Sequence, residues 1–99
     1  MSKITKGRVL DLLGQYKKQF GEKYGINELG VFGSVATETN TEASNIDVVI
    51  KIRQPNLVTM SHIRIDLEDL TNGHVDLIHY REKMNQIFKK RIENEAVYV

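Results

Sequence analysis

The sequence predicts an α/β (α+β) domain in which about four helices pack on a small mixed sheet of three strands. Two observations carry that prediction. Segments of helical and strand periodicity alternate along the chain. Its 99 residues also suffice for one modest core and not for two, so residues 1–99 are read as one domain.

From Thr5 to Tyr24, Val9, Leu12, Leu13, Tyr16 and Phe20 recur at the spacing of one helical face. Gly7 and Gly14 weaken this helix and Gly25 is its expected stop. Tyr16 and Tyr24 are expected in the core or at its edge. Glu28 to Phe32 reads as a short strand running into Gly33-Ser34, and a polar loop covers Val35 to Ser44, its first residues compatible with a short helix. Ile46 to Ile52 is the clearest strand, β-branched almost throughout. Pro55 breaks it and Asn56 is placed to cap a helix carrying Leu57, Met60, Ile63, Leu67 and Leu70, which ends at Asn72-Gly73. His74 to Ile78 is the third strand. A last helix spans about Asn85 to Asn94, with Ile87, Phe88 and Ile92 as its apolar side.

An apolar fraction of 40% and a charged fraction of 27% are ordinary for a globular chain. No apolar run approaches the roughly 18 residues that suggest a membrane span. The segment Met1 to Lys6 lacks the pattern of a signal peptide. With no cysteine, disulfides and thiolate metal sites are excluded. A cytoplasmic location is the default expectation. The net charge of +1 gives no global electrostatic case for nucleic-acid binding. The run Lys89-Lys90-Arg91 reads as a solvated helix face.

Three features carry chemistry. Gly33 lets backbone approach a phosphate closely and Ser34 adds a hydroxyl, although Gly-Ser after a strand is usually only a turn. Asn45 and Asp47 sit two apart at a strand start and so present two oxygen-bearing groups to one face, as a hard cation such as Mg²⁺ requires. The plainer reading is a strand with a polar end. Asp76 lies in an apolar strand, where a carboxylate needs a partner, a metal or an outward-facing position.

In this order, with the approach Lys23 to Ser34 and the close Glu95-Ala96-Val97-Tyr98-Val99, these features resemble the minimal nucleotidyltransferase family. That family belongs to the DNA polymerase beta-like superfamily, and its signature is Gly-Ser, a loop, Asp-x-Asp and a later third Asp. The resemblance implies a nucleotidyltransferase fold. It implies that Gly33 and Ser34 hold a triphosphate, that positions 45 and 47 bind divalent metal, and that Asp76 binds metal and activates the attacking hydroxyl. Two Mg²⁺ ions and ATP are the implied cofactor and substrate.

The chain departs from the pattern twice. Asn45 stands where the family has an aspartate, bringing an oxygen without a charge, which should weaken metal binding and impair catalysis. After Val35-Ala36, Thr37-Glu38 replaces the usual Arg-Gly, so a basic residue near the phosphates becomes neutral.

A bare domain of this length resembles the antitoxins encoded beside HEPN-domain toxins, some of which transfer AMP from ATP to a tyrosine of the partner ribonuclease. The resemblance therefore implies a HEPN toxin as partner, with an antitoxin that neutralises by binding alone as the alternative. Direct nucleic-acid binding is not expected, because no template-holding region is left over. His62 is expected at the surface or its boundary rather than as a ligand. His74 and His79 bracket the third strand, either in reach of the cleft, and Tyr80 and Tyr98 are candidate partner contacts.

Overall fold

The computed structural model describes residues 3–99 and places them in the order α1 (Lys6–Tyr24), β1 (Ile26–Phe32), α2 (Gly33–Ala36), β2 (Ile46–Ile52), α3 (Leu57–Thr71), β3 (Val75–His79), α4 (Gln86–Glu95), β4 (Val97–Tyr98). Met1 and Ser2 of the N-terminal segment lie outside it. The four helices and the three expected strands are present. The sheet has four strands rather than three, in the order β3-β2-β1-β4. It is mixed, since β1 runs antiparallel to β2 and β4 while β2 and β3 run parallel.

Local chemistry accounts for the element ends. The Thr5 hydroxyl accepts from the Arg8 N–H at 3.1 Å and caps α1, and Gly25 closes the helix in the left-handed conformation at φ 69°. Asn56 caps α3 through the Thr59 N–H at 2.8 Å, and Asn72 ends it at φ 54°. Asn85 accepts from the N–H groups of Ile87 and Phe88 at the start of α4.

The two faces of the sheet are covered differently. On one, α1 and α3 bury Val9, Leu13 and Tyr16 together with Ile63 and Leu67 against the inward residues of β1 and β2. Tyr16 is almost fully buried, and its hydroxyl donates to Asp66 Oδ2 at 2.8 Å, so its polar tip is satisfied. Tyr24 sits at the core edge. On the other face α4 and the segment before it provide cover, and Ile92 of α4 forms a small cluster with Phe32 and Val49, against which Tyr80 and Met84 pack. At the far end of that face the Lys51 ammonium lies 4.7 Å from the Tyr80 ring centroid and 5.6 Å from that of Tyr98.

Helical spacing overstated the apolar sides of α3 and α4. Ile63, Leu67 and Ile92 are buried, but Leu57 is 87% and Ile87 74% exposed. Both lie in the first turns of their helices. No described helix is long and apolar enough to cross a membrane.

Candidate active site

The candidate residues gather at one end of the sheet, on the face that α4 covers. Phe32 is the register partner of Asp47, and Asp47 is the register partner of Asp76, so the three form one row across β1, β2 and β3. Partners in a ladder share a face, and two carboxylates therefore stand side by side. Asn45 precedes β2, and its Nδ2 donates to Asp76 Oδ2 at 3.1 Å. The loop leading to it is tied down by Asn40, a buried amide whose Nδ2 donates to the Ile4 carbonyl at 2.9 Å. Beside Asp76, the Val75 N–H donates to Glu68 Oε2 at 3.1 Å, and Glu68 also takes Arg64 at 3.0 Å. The strand bearing Asp76 is thus fixed from α3.

Gly33 closes the row. The chain turns from β1 into α2 at φ 72°, a left-handed conformation that L side chains adopt at a cost. A Cβ there would collide with Asp47 Oδ2, so the backbone lies directly against that carboxylate. Ser34 follows, half-buried, in a single helical turn. Among the described residues no side chain partners its hydroxyl.

The electrostatics follow from this packing. Burial first, then the charge of Asp76, pushes the Asp47 carboxyl above its ordinary range; Arg91 draws it down, while Glu95 and a hydrogen bond with Asp76 add to the rise. Crowded, partly desolvated carboxylates are what a cation relieves. Asn45, Asp47 and Asp76 offer only hard oxygen ligands, in keeping with Mg²⁺. Among the described residues no group of three or more acidic or histidine side chains is placed to hold a metal. A divalent cation here would rest on two carboxylates and an amide.

An open cleft of about 450 Å³ lies over Asp47, Asp76 and Ile78, walled by Arg64 and Phe88. Neither flanking histidine lines it. His74 is exposed with its Nδ1 3.2 Å from Glu68 Oε2. His79 lies farther along β3, half-buried, where burial and then the Arg81 charge lower its pKa. His62 is exposed, as expected.

Two residues at the site were not among the candidates. Glu95 Oε1 accepts from the Gly33 N–H at 3.0 Å. Arg91, one turn earlier, has its Nε 3.9 Å from that oxygen and its guanidinium 5.8 Å from the Phe32 ring centroid. Of the basic run, Lys90 keeps to the solvated face, Lys89 pairs with Glu82 at 3.0 Å, and Arg91 turns toward the site. An Arg-x-x-x-Glu spacing on the last helix was the available signal, and it carried no hint of contact with Gly33.

The profile of the family described as polymerase beta, nucleotidyltransferase matches residues 15–99. The chain belongs to this nucleotidyltransferase family. Among its relatives, a Methanocaldococcus jannaschii protein named as a candidate protein adenylyltransferase is 33% identical over 96% of this chain and 98% of its own length. The protein adenylyltransferase MntA of Thermococcus cleftensis is 29% identical over the full length of both. The fold is shared with a structure described as a candidate minimal nucleotidyltransferase, with a TM-score of 0.76 at 20% identity, covering 98% of each chain. It is shared also with a chain of a toxin–antitoxin complex with AMP-PNP, with a TM-score of 0.69 at 14% identity, covering 96% of this chain and 72% of that one.

Proposed function

We propose that this protein is an antitoxin of the prokaryotic cytoplasm that transfers AMP from ATP to a tyrosine of a cognate HEPN ribonuclease toxin. The observation that carries the reading is the row in which Gly33 backbone lies against Asp47 and Asp47 faces Asp76. In this reading the turn that would accept a phosphate and the two carboxylates that would bind a cation lie within one side chain's length of each other. The relatives named as protein adenylyltransferases support AMP as the transferred group and a protein as acceptor.

In this reading Gly33 and Ser34 hold the triphosphate, and Asn45, Asp47 and Asp76 hold Mg²⁺. When bound, the cation supplies neutralisation of phosphate charge. Asp76 takes the proton of the incoming tyrosine hydroxyl. The tyrosine oxygen bonds to the α-phosphorus as the α–β phosphoanhydride bond breaks, and pyrophosphate leaves. The open cleft beside Asp76, with Phe88 on its wall, admits a side chain from a second protein. Positioning and charge complementarity carry most of such a reaction.

One observation favours the alternative, neutralisation by stable binding without transfer. The Asn45 amide already donates to Asp76, so a neutral hydrogen bond partly does what a cation would do. Intact mass of the co-encoded partner separates the two readings, after incubation with ATP, Mg²⁺ and either this chain or its Asn45→Asp variant. A gain of one AMP with either supports transfer. No adduct with either, despite a stable complex, leaves binding alone. Loss of toxin neutralisation in Asp47→Ala and Asp76→Ala, with the complex intact, would sink the binding reading.

A further inference from the structure

The Gly33 N–H is the donor that a phosphate would meet first in the turn between β1 and α2, yet in the free protein it is taken by a carboxylate. Glu95 reaches it from 62 positions along the chain, at 3.0 Å, in a partly buried contact. A carboxylate and a phosphate oxygen are both anionic acceptors for the same backbone donor, so both cannot hold it at once. Arg91 lies one helical turn before Glu95, on the same side of α4. Its Nε is 3.9 Å from Glu95 Oε1, and its guanidinium sits beside the Phe32 ring, which immediately precedes Gly33. At 3.9 Å the Arg91–Glu95 pair is close but not tightly bonded. The guanidinium therefore keeps donors to offer.

We propose that Arg91 and Glu95 form a phosphate exchange pair, in which Glu95 occupies the Gly33 N–H in the free protein and yields it to an incoming polyphosphate that Arg91 then binds. This rests on the reading of Gly33-Ser34 as the triphosphate turn. The loop after α2 offers Thr37-Glu38, a hydroxyl and an acid, and so brings no cation to the phosphates. Arg91 supplies one from a different element. A guanidinium fits this task because its fork matches phosphate oxygens. Glu95 makes the site selective for polyanions able to displace it, and it keeps the turn ordered when no ligand is bound.

The experiment is calorimetric titration of the whole protein with ATP plus Mg²⁺ and, separately, with inorganic tripolyphosphate plus Mg²⁺. Wild type is compared with Arg91→Ala, Glu95→Gln, Ser34→Ala and the control Lys90→Ala, each checked for folding by circular dichroism. Arg91→Ala should weaken both ligands about tenfold, the scale of one charge-assisted hydrogen bond. Glu95→Gln should tighten both by roughly three- to tenfold, because a neutral amide competes less well for Gly33. Lys90→Ala should change neither. Unchanged affinities in Arg91→Ala and Glu95→Gln, while Ser34→Ala weakens binding, would overturn the exchange pair and leave the triphosphate turn standing. Absence of binding to either ligand in wild type and every variant would overturn both. Should Glu95→Gln unfold, the salt dependence of binding to Arg91→Ala decides. If the guanidinium pairs with phosphate, its removal flattens that dependence, and an unchanged slope counts against the pair.

Discussion

Asp47 and Asp76 are direct register partners on parallel strands, so two acidic side chains stand side by side on one face of the sheet. The arrangement suits a cation and burdens the fold that lacks one. Asp47 bears this burden while partly buried against the Gly33 turn.

Asp47→Asn should therefore stabilise the cation-free protein at neutral pH while removing its capacity for chemistry. Burial and Asp76 raise the folded pKa of Asp47, whereas in the unfolded chain it titrates near its ordinary value of about 4. As pH rises from that value through the raised one, the unfolded state releases its proton first and the folded state loses stability. Above the raised value the full penalty is present. The melting temperature of Asp47→Asn should exceed that of wild type at pH 7, with the gap closing as pH falls through this window. A pH-independent difference, or a lower melting temperature at pH 7, would count against this account.

Gly33→Ala should fail for two separable reasons. The φ of 72° costs an L residue about 1–2 kcal/mol, and the new methyl meets Asp47 Oδ2. Together these predict a loss of about 2–4 kcal/mol in denaturant unfolding. Nucleotide binding should fall even where folding survives, since Asp47 must move. Near-wild-type stability would mean that the turn has another conformation available.

Particular residues show what the sequence disclosed. β2 was legible because Ile46 to Ile52 is β-branched almost throughout, and Asp47 and Asp76 stood out against apolar neighbours. β4 was not, because two residues carry no period. Val97 and Tyr98 become a strand by pairing with Val31 and Gly30. At Gly30 a Cβ would come within 2.5 Å of the Val97 carbonyl, so the missing side chain admits the strand. Helical spacing likewise placed Leu57 and Ile87 in an apolar stripe without revealing that no element covers them. The resemblance supplied the site's order and included Glu95 in its closing segment, but it gave neither Glu95 nor Arg91 a role at Gly33, which depends on how α4 folds back. Spacing within one helix cannot reveal that Glu95 meets Gly33, 62 residues away.

Tyr16→Phe should isolate the hydrogen bond that joins α1 to α3. The ring is almost completely buried and lies tilted against Phe20, with ring centroids 4.8 Å apart, so packing is kept, and only the donor to Asp66 at 2.8 Å is removed. Asp66 is half-buried and can recruit water. The expected cost is about 1 kcal/mol, or a fall of roughly 4–8 °C in melting temperature for a domain of this size. A substantially larger loss would show that Asp66 is left unsatisfied.

The effect of Asn45→Asp on stability should change sign when a cation binds. In the metal-free state the substitution removes the Nδ2 donor to Asp76 at 3.1 Å and sets a further charge beside two carboxylates. Because Asn45 is exposed, solvent screens the new repulsion, and the expected loss is about 1 kcal/mol. With Mg²⁺ the same carboxylate becomes a charged ligand, and the variant should bind the ion more tightly than wild type. At saturation the variant gains over wild type by RT times the logarithm of the ratio of their dissociation constants, so a tenfold tighter ion contributes about 1.4 kcal/mol, more than the initial loss. Melting curves across a Mg²⁺ titration should therefore cross, with the variant below wild type without the ion and above it at saturation. Parallel curves would mean that position 45 does not reach the cation, and the acidic row would then have to work through Asp47 and Asp76 alone.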